Sequence, residues 1–391
     1  FGQQDAPAVV AAERELLGDR ALVALDTTRA GEPIIGCAGW YALQMVVPGG
    51  AVVPCAGVTY VSVLPTHRRR GVLTAMMTTQ LADLAAQGQP VAALRASETA
   101  IYGRFGYGLG TRQVGFTIPR AAGRLAWGPA PDPSLQLRLA DVNESRADCD
   151  AVYGQVAVRR AGTMLRDEAW SRYLVLDDPA ARRGMSALRV VLAHDDHVVR
   201  GYARYRVDGH WQDGMPAGTV TVDELVAVDA PAQTALWRYL LDLDLTTRVQ
   251  ARARPLDDEL LDQLADPRSA RPVLRDGLYV RVVDVPAALT ARSYSTPVDV
   301  VIELADPILP ANSGRWHLRA ERAGGPAVCE RTEATAGIRM GVAELGAAYL
   351  GGTSLAALAR AGRVQAADET SLMSASYAFR TDPQPFSDLR F

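Results

Sequence analysis

The sequence predicts a chain of α/β and α+β class with more than one domain, and three observations carry that prediction. A buried strand, a glycine-containing turn and an apolar-striped helix follow one another from Thr59 to Leu84. A fainter strand-then-helix pattern returns between Val199 and Leu245. Between the two lies Pro129-Ala130-Pro131-Asp132-Pro133, a break, because proline supplies no N–H and fixes φ. At 391 residues there is room for two or three domains, each with its own core.

In chain order, Glu13 to Leu17 reads as the tail of a helix. Ala21 to Asp26 and Pro33 to Met45 alternate apolar and polar residues as strands do, separated by the turn-like Thr28-Arg29-Ala30-Gly31. Pro48-Gly49-Gly50 turns the chain again before Ala51 to Ala56. Thr59 to Leu64 is a strand, and the helix after it sets Val72, Met76, Leu81 and Leu84 at helical spacing. Val114 to Ile118 is expected to close this first α/β unit, which spans 1–123. The second unit, 124–284, has strands at Val199 to Tyr205 and Val222 to Val228 and a helix from Pro231 to Leu245. Val285-Pro286 opens a third, α+β region, 285–391, with strands at Val298 to Leu304 and His317 to Glu321 and helices at Val342 to Tyr349 and Leu355 to Ala361.

Composition narrows the function. A net charge of −3 argues against general binding to nucleic acid or to an anionic membrane. Hydrophobic residues at 48% and charged residues at 22% are those of a soluble globular protein. With no signal peptide and no run of 18 apolar residues, a cytoplasmic location is expected. Cys37, Cys55, Cys149 and Cys329 show no C-x-x-C spacing, so free thiols are expected and no metal. The histidines share no metal spacing either. His67 sits in a turn as a loop hydrogen-bonder, and His194, His197, His210 and His317 are scattered.

The chemistry concentrates between Thr59 and Gly108. The turn Arg68-Arg69-Arg70-Gly71 delivers a strand to a helix start, where several N–H groups lack intrahelical partners and the helix dipole is positive. Such a place receives an anion the size of a pyrophosphate, or is a solvated arginine turn. Downstream stands Ile101-Tyr102-Gly103-Arg104-Phe105-Gly106-Tyr107-Gly108.

These two segments resemble a known superfamily. Arg68-Arg69-Arg70-Gly71-Val72-Leu73 is similar to the Arg/Gln-x-x-Gly-x-Gly/Ala loop of the GNAT N-acetyltransferases, departing from it at Leu73, and Tyr102 to Tyr107 is similar to their Tyr-x-x-x-Gly-Phe/Tyr segment. Pro65-Thr66-His67 before the arginines, Ala96-Ser97-Glu98, Glu224-Leu225-Val226-Ala227-Val228 with Ala235-Leu236-Trp237-Arg238, the run from Asp276 to Leu289 and a terminal phenylalanine narrow the resemblance to the Eis (enhanced intracellular survival) family. It extends from about residue 30 to Phe391.

The resemblance implies tandem GNAT-like domains, the first binding acetyl-CoA and the second lacking the cofactor loop, followed by a sterol-carrier-protein-like domain. At the corresponding place in the second, Asp229-Ala230-Pro231-Ala232 has neither arginine nor glycine. It also implies a first strand and helix ahead of Phe1, and a homo-hexamer built as a trimer of dimers. The implied activity is acetyl-CoA-dependent N-acetyltransfer, directly and through a ternary complex, to primary amines of cationic acceptors such as aminoglycosides. Polyamines and lysine side chains of proteins are alternative acceptors, and a non-catalytic scaffold binding acetyl-CoA or lipid is the rival from another class.

The resemblance also assigns residues. Val61, Ser62 and Val63 pair with the pantetheine, while Arg68, Arg69, Arg70, Gly71, Val72, Leu73 and Thr74 surround the phosphates. Ser97 and Glu98 belong to the cofactor site, and Tyr60 and Arg390 to the acceptor pocket. Tyr102 is the candidate acid for the departing thiolate, and Tyr107 is structural. The base is the α-carboxylate of Phe391. Arg390 stands where an acidic residue is expected, which argues against a pocket for polycations. Phe386 to Phe391 alternates like a strand, and either buries its aromatic ends or frays as termini do.

Overall fold

The computed structural model describes residues 6–196 and 198–391; His197 and the first five residues of the expected first domain lie outside the described residues. The chain forms two compact units. The larger contains 16–112, 158–165 and 276–391, and the smaller contains the segment up to Glu15 with 113–157 and 166–275. Helix α1 (Pro7–Leu17) ends where the larger unit begins.

In the larger unit, β1 (Ala21–Leu25), β2 (Ile34–Val46), β3 (Val52–Val63), β4 (Val91–Leu94) and β5 (Gly108–Leu109) form one sheet. Its order is β1-β2-β3-β4-β16-β5, with β16 at Tyr279–Val282 and β8 (Met164–Leu165) paired to β2. β2 and β3 are an antiparallel hairpin, and β3 crosses to the parallel β4 through α2 (Val72–Ala86). Of the apolar stripe expected on α2, Met76, Leu81 and Leu84 are buried and Val72 is half-buried; Met77, Leu81 and Leu84 pack with Ala56, Val58, Ala92 and Leu94. Each such side chain removed from water contributes roughly 1.5–3 kcal/mol.

A distant strand completes this sheet. β16 (Tyr279–Val282) inserts antiparallel between β4 and β5. Its Arg281 donates to both carboxylate oxygens of Asp306 at 2.8 Å, and both side chains are fully buried. The helix α9 (Val342–Tyr349) then lies directly on β5. A Cβ at Gly108 would come within 1.8 Å of the Ala343 carbonyl oxygen, so only glycine admits that approach.

The rest of the larger unit is the α+β region. β17 (Val298–Ala305), β18 (Gly314–Ala320), β19 (Val328–Arg331), β20 (Ile338–Gly341) and β21 (Val364–Ala366) form a sheet in the order β19-β18-β17-β20-β21. With it belong α8 (Val285–Ala291), α9, α10 (Leu355–Arg360) and α11 (Glu369–Ala378).

The smaller unit has its own seven-stranded sheet. Its strands are β6 (Arg112–Pro119), β7 (Gln136–Ala140), β9 (Arg189–His194), β10 (Val199–Asp208), β13 (Gly218–Ala227), β14 (Thr246–Arg254) and β15 (Val273–Asp276), in the order β15-β6-β14-β13-β10-β9-β7. A small hairpin, β11 (Trp211–Gln212) with β12 (Met215–Pro216), joins β10 to β13, and α4 (Arg146–Ala157), α5 (Glu168–Leu174), α6 (Ala230–Leu241) and α7 (Leu260–Gln263) accompany the sheet. β6 was expected to close the first unit's sheet. It pairs instead with β14, because Val114, Phe116 and Ile118 belong to the core built on Leu236, Trp237 and Leu240. Among the described residues, no helix is long and apolar enough to cross a membrane.

Candidate functional site

The site begins where two strands part. The β3–β4 ladder holds only Cys55↔Val91, Ala56↔Ala92 and Gly57↔Ala93, whereas β3 continues to Val63 paired with β2 alone. A bulge drives the parting. Between Cys37 and Gly39 of β2, β3 carries one residue more, and Tyr60 adopts φ 52°. Bulges bend the strand that carries them and re-aim its side chains. The Cys37 thiol donates to the Tyr60 carbonyl at 3.1 Å and lies 3.2 Å from the Ser62 hydroxyl, which fixes the distorted backbone. Val61, Ser62 and Val63 therefore have no neighbouring strand on the β4 side, and the Val61 side chain packs on the same core as Leu73 and Tyr102.

The turn after β3 delivers the chain to an uncapped helix start. A single 3-10 turn, Pro65–His67, leads to Arg69 at φ 62° and Gly71 at φ 83°, the latter preceding α2. No side chain caps α2 and no acidic residue lies in its first turn, so its positive end is open. Arg68, Arg69, Arg70, Gly71 and Thr74 are exposed, and Val72 is half-buried. Leu73, the departure from the usual small residue, is half-buried against the core under α2. His67 serves the loop, with Asp26 at 3.5 Å and Thr66 Oγ1 at 2.9 Å.

The smaller unit repeats the strand–helix–strand plan and blocks it. β13 parts from β14 after Val222↔Ala251, beside a bulge of its own. There, however, the Arg254 guanidinium donates to the Leu225 carbonyl at 2.8 Å and to Asp258 at 2.6 Å, filling the gap. At the start of α6, the Asp229 carboxylate accepts from the Ala232 N–H at 2.9 Å, and Pro231 takes away another N–H. A carboxylate occupies the place where an anion would have to go. The sequence pointed to the loop; Arg254 was not singled out.

β4 leads through Arg95, Ala96, Ser97 and Glu98 to the short helix α3 (Thr99–Tyr102). Ser97 and Glu98 are exposed. The Tyr102 ring is half-buried and meets Tyr107 edge to face at 6.0 Å. Burial first, and the Glu98 carboxylate second, raise the phenol above its ordinary value, so it is a proton donor throughout the neutral range. Tyr107 is buried, and its hydroxyl has no hydrogen-bond partner among the described residues.

The last residues return to this place. The Arg160 guanidinium donates to the Gln384 carbonyl at 2.6 Å, and the Phe386 N–H donates to the Ala161 carbonyl at 2.9 Å. Arg95 donates through Nε to the Leu389 carbonyl at 3.0 Å and through Nη2 to the Ser387 carbonyl at 2.5 Å. Phe386, Ser387 and Leu389 are buried, Arg390 is exposed and Phe391 half-buried. A Cβ on Gly57 would lie 3.1 Å from Phe391 Cε2, so the terminal ring rests on the last residue of the β3–β4 ladder. Residues 386–391 form no strand, although their alternation suggested one. Side-chain donors of Arg95 and Thr163 capture tail carbonyls that a ladder would have used, and the Phe386 N–H donates to the Ala161 carbonyl instead of to a strand. Nearby on β3, the Tyr60 ring is exposed and its hydroxyl accepts from Tyr41 at 3.3 Å, the rings 6.3 Å apart.

Comparison with known proteins agrees with this architecture. The GNAT acetyltransferase domain family matches residues 1–110, a second GNAT acetyltransferase family matches 162–282, and the sterol carrier protein domain family matches 285–388. A Streptomyces avermitilis protein described as an uncharacterised N-acetyltransferase is 46% identical, covering 91% of this chain and 86% of its own. The N-acetyltransferase Eis of Mycobacterium tuberculosis is 38% identical over 93% of this chain and 87% of its own. The crystal structure of Eis1 from Mycobacterium abscessus superposes with a TM-score of 0.82 at 37% identity, covering 100% of this chain and 94% of the other. Two GNAT domains, of which one keeps an open strand split and an uncapped helix start, a sterol-carrier-like domain and these relatives together place the chain in the Eis family of GNAT N-acetyltransferases, an acyltransferase family.

Proposed function

We propose that this protein moves an acetyl group from acetyl-CoA directly to a primary amine of a cationic acceptor, with both bound at once. The observation that carries the reading is the Phe391 ring resting on Gly57 at the mouth of the β3–β4 split, while Tyr102 sits on the segment leaving β4. The pantetheine amides pair with Val61, Ser62 and Val63 as another strand would. The pyrophosphate takes the amides of Arg69 to Thr74, beside the charges of Arg68, Arg69 and Arg70. Ser97 and Glu98 border the same cofactor.

An acceptor amine with pKa of about 10.4 is neutral in only about one molecule in 10³ at pH 7, a deficit of roughly 4.6 kcal/mol. A base must offset it. The bound ammonium first passes one proton through the Phe391 α-carboxylate to solvent; the neutral nitrogen then bonds to the thioester carbonyl carbon, and its N–H proton passes to the same carboxylate. The C–S bond then breaks, and the thiolate takes the Tyr102 hydroxyl proton. Solvent returns the proton from carboxylate to phenolate. A free α-carboxyl has pKa of about 3.5, and loss of water around it when the acceptor fills the site moves that value up. The Arg390 charge opposes the move.

Aminoglycosides suit the reading in that the exposed Tyr60 face attracts ammonium groups. A second acceptor class, the lysine side chain, is favoured by Arg390, since a single ammonium is repelled less by a guanidinium than a polycation is. Thiol release from acetyl-CoA across aminoglycosides, polyamines and lysine peptides, with mass spectrometry of the products, tests the reading. Acetylated amine in any arm supports transfer. Bound CoA with silence in every arm would leave a non-catalytic scaffold.

A further inference from the structure

We propose that Arg95 is the positioning residue that places the terminal carboxylate for catalysis. The inference rests on the reading of Phe391 as the base. Arg95 is the first residue after β4, whose Leu94 is held in register opposite Tyr279 of β16. Its side chain therefore starts from a fixed point in the sheet. Its guanidinium donates to the carbonyls of Ser387 and Leu389. Carbonyls two residues apart point the same way on extended backbone, so one planar fork takes both and fixes the direction of the chain between them.

Position along the tail decides what each anchor controls. Arg160 and Ala161 hold Gln384 and Phe386, and they secure the root of the tail. Arg95 holds Leu389, leaving only Arg390 and Phe391 beyond the clamp. A two-residue tether limits the carboxylate to a small arc, whereas release at Arg95 frees five residues past Phe386. The guanidinium is largely buried, and that burial, followed by the Arg390 charge, lowers it to about 10, so it remains cationic in the neutral range. The segment from Arg95 to Tyr102 thus grips the base at its start and carries the acid at its end.

The test uses the full chain with Arg95→Gln and Arg95→Lys. Acetyl-CoA affinity is expected within about twofold of the parent, while kcat for amine acetylation falls about 10²-fold in Arg95→Gln, the scale of loss known for a 1 Å misplacement. Arg95→Lys, which offers one donor point instead of a fork, is expected between the two. A readout independent of activity is the release of Phe391 by carboxypeptidase A, followed by intact mass, which should be about tenfold faster in Arg95→Gln because the freed end reaches the protease. Should Arg95→Gln fail to fold, Arg95→Lys carries both readouts. An unchanged kcat, or equal release of Phe391 from variant and parent, overturns the inference. A parent inactive on every amine overturns the reaction instead, and the carboxypeptidase comparison still decides the clamp.

Discussion

Phe391 and Gly57 touch: a methyl group on Gly57 would stand 3.1 Å from the terminal ring and 2.5 Å from Leu43 Cδ1. Gly57→Ala forces one of them aside in a packed interior, at about 1–3 kcal/mol of stability. Leu43 can swing away, but the Phe391 ring then shifts with its carboxylate. We expect kcat to fall at least tenfold with acetyl-CoA affinity unchanged. A chain extended beyond Phe391 converts the carboxylate to an amide and should fall further. Full turnover in the extended chain would remove Phe391 from the chemistry.

Tyr102→Phe keeps the edge-to-face contact with Tyr107 and removes only the transferable proton. A fall in kcat of about 10²-fold or more is expected, without a change in the acetyl-CoA dissociation constant. The acid works protonated, and burial with Glu98 raises its pKa, so activity persists to alkaline pH and is lost as pH passes the raised value. Glu98→Gln deletes the second cause and should bring the alkaline limb of the kcat profile downward. A limb that stays where it was argues for another acid.

Gly71 holds φ 83° before α2, in open space where an added Cβ meets nothing within 4 Å. Gly71→Ala therefore tests backbone shape with the least added bulk. The left-handed region costs an L-residue roughly 1–2 kcal/mol, so the turn should relax and move the α2 amides off their target. The expected result is a KM for acetyl-CoA raised about tenfold, with kcat near the parent value at saturation. An unchanged KM would show that the turn does not hold the cofactor.

In the smaller unit, the largely covered Glu224 side chain lies between Arg166 and Arg204 and accepts from Tyr202 at 2.8 Å. Burial alone would raise its carboxyl; the two guanidiniums outweigh that and hold it at about 2. A folded value below the unfolded one, about 4.3, stabilises at neutral pH, and the contribution drains away as pH falls from about 5 to about 2. Glu224→Gln should flatten the acid side of the stability curve. At pH 7 it should cost about 3–5 kcal/mol, because two buried cations lose their counter-charge. Denaturant titrations at several pH values decide; a parallel pH dependence in both proteins would rule the carboxylate out as its source.

Local pattern made part of this molecule legible. The apolar spacing of Met76, Leu81 and Leu84 marked α2, and Arg68 to Gly71 marked an open helix start, because both depend on neighbours within a few residues. Long-range choices were hidden. Val114, Phe116 and Ile118 read as a strand, but nothing in the alternation says which sheet's core receives it. Arg95 looks like any arginine after a short strand, and its partners stand near the end of the chain. The bulge at Tyr60 has no local signature either, since tyrosine is not a residue that favours positive φ. The terminal hexapeptide shows the reverse error: an alternating pattern without a ladder.

The insertion of Tyr279–Val282 between β4 and β5 reaches beyond the native state. On the ribosome, the segment that ends with β5 emerges with a gap in its sheet, and β4 waits with an unsatisfied edge while residues 113–278 are translated. Such an edge invites intermolecular pairing. Cutting the gene after the first GNAT segment would therefore yield insoluble product rather than a minimal enzyme, and nascent chains need protection until the missing strand leaves the exit tunnel.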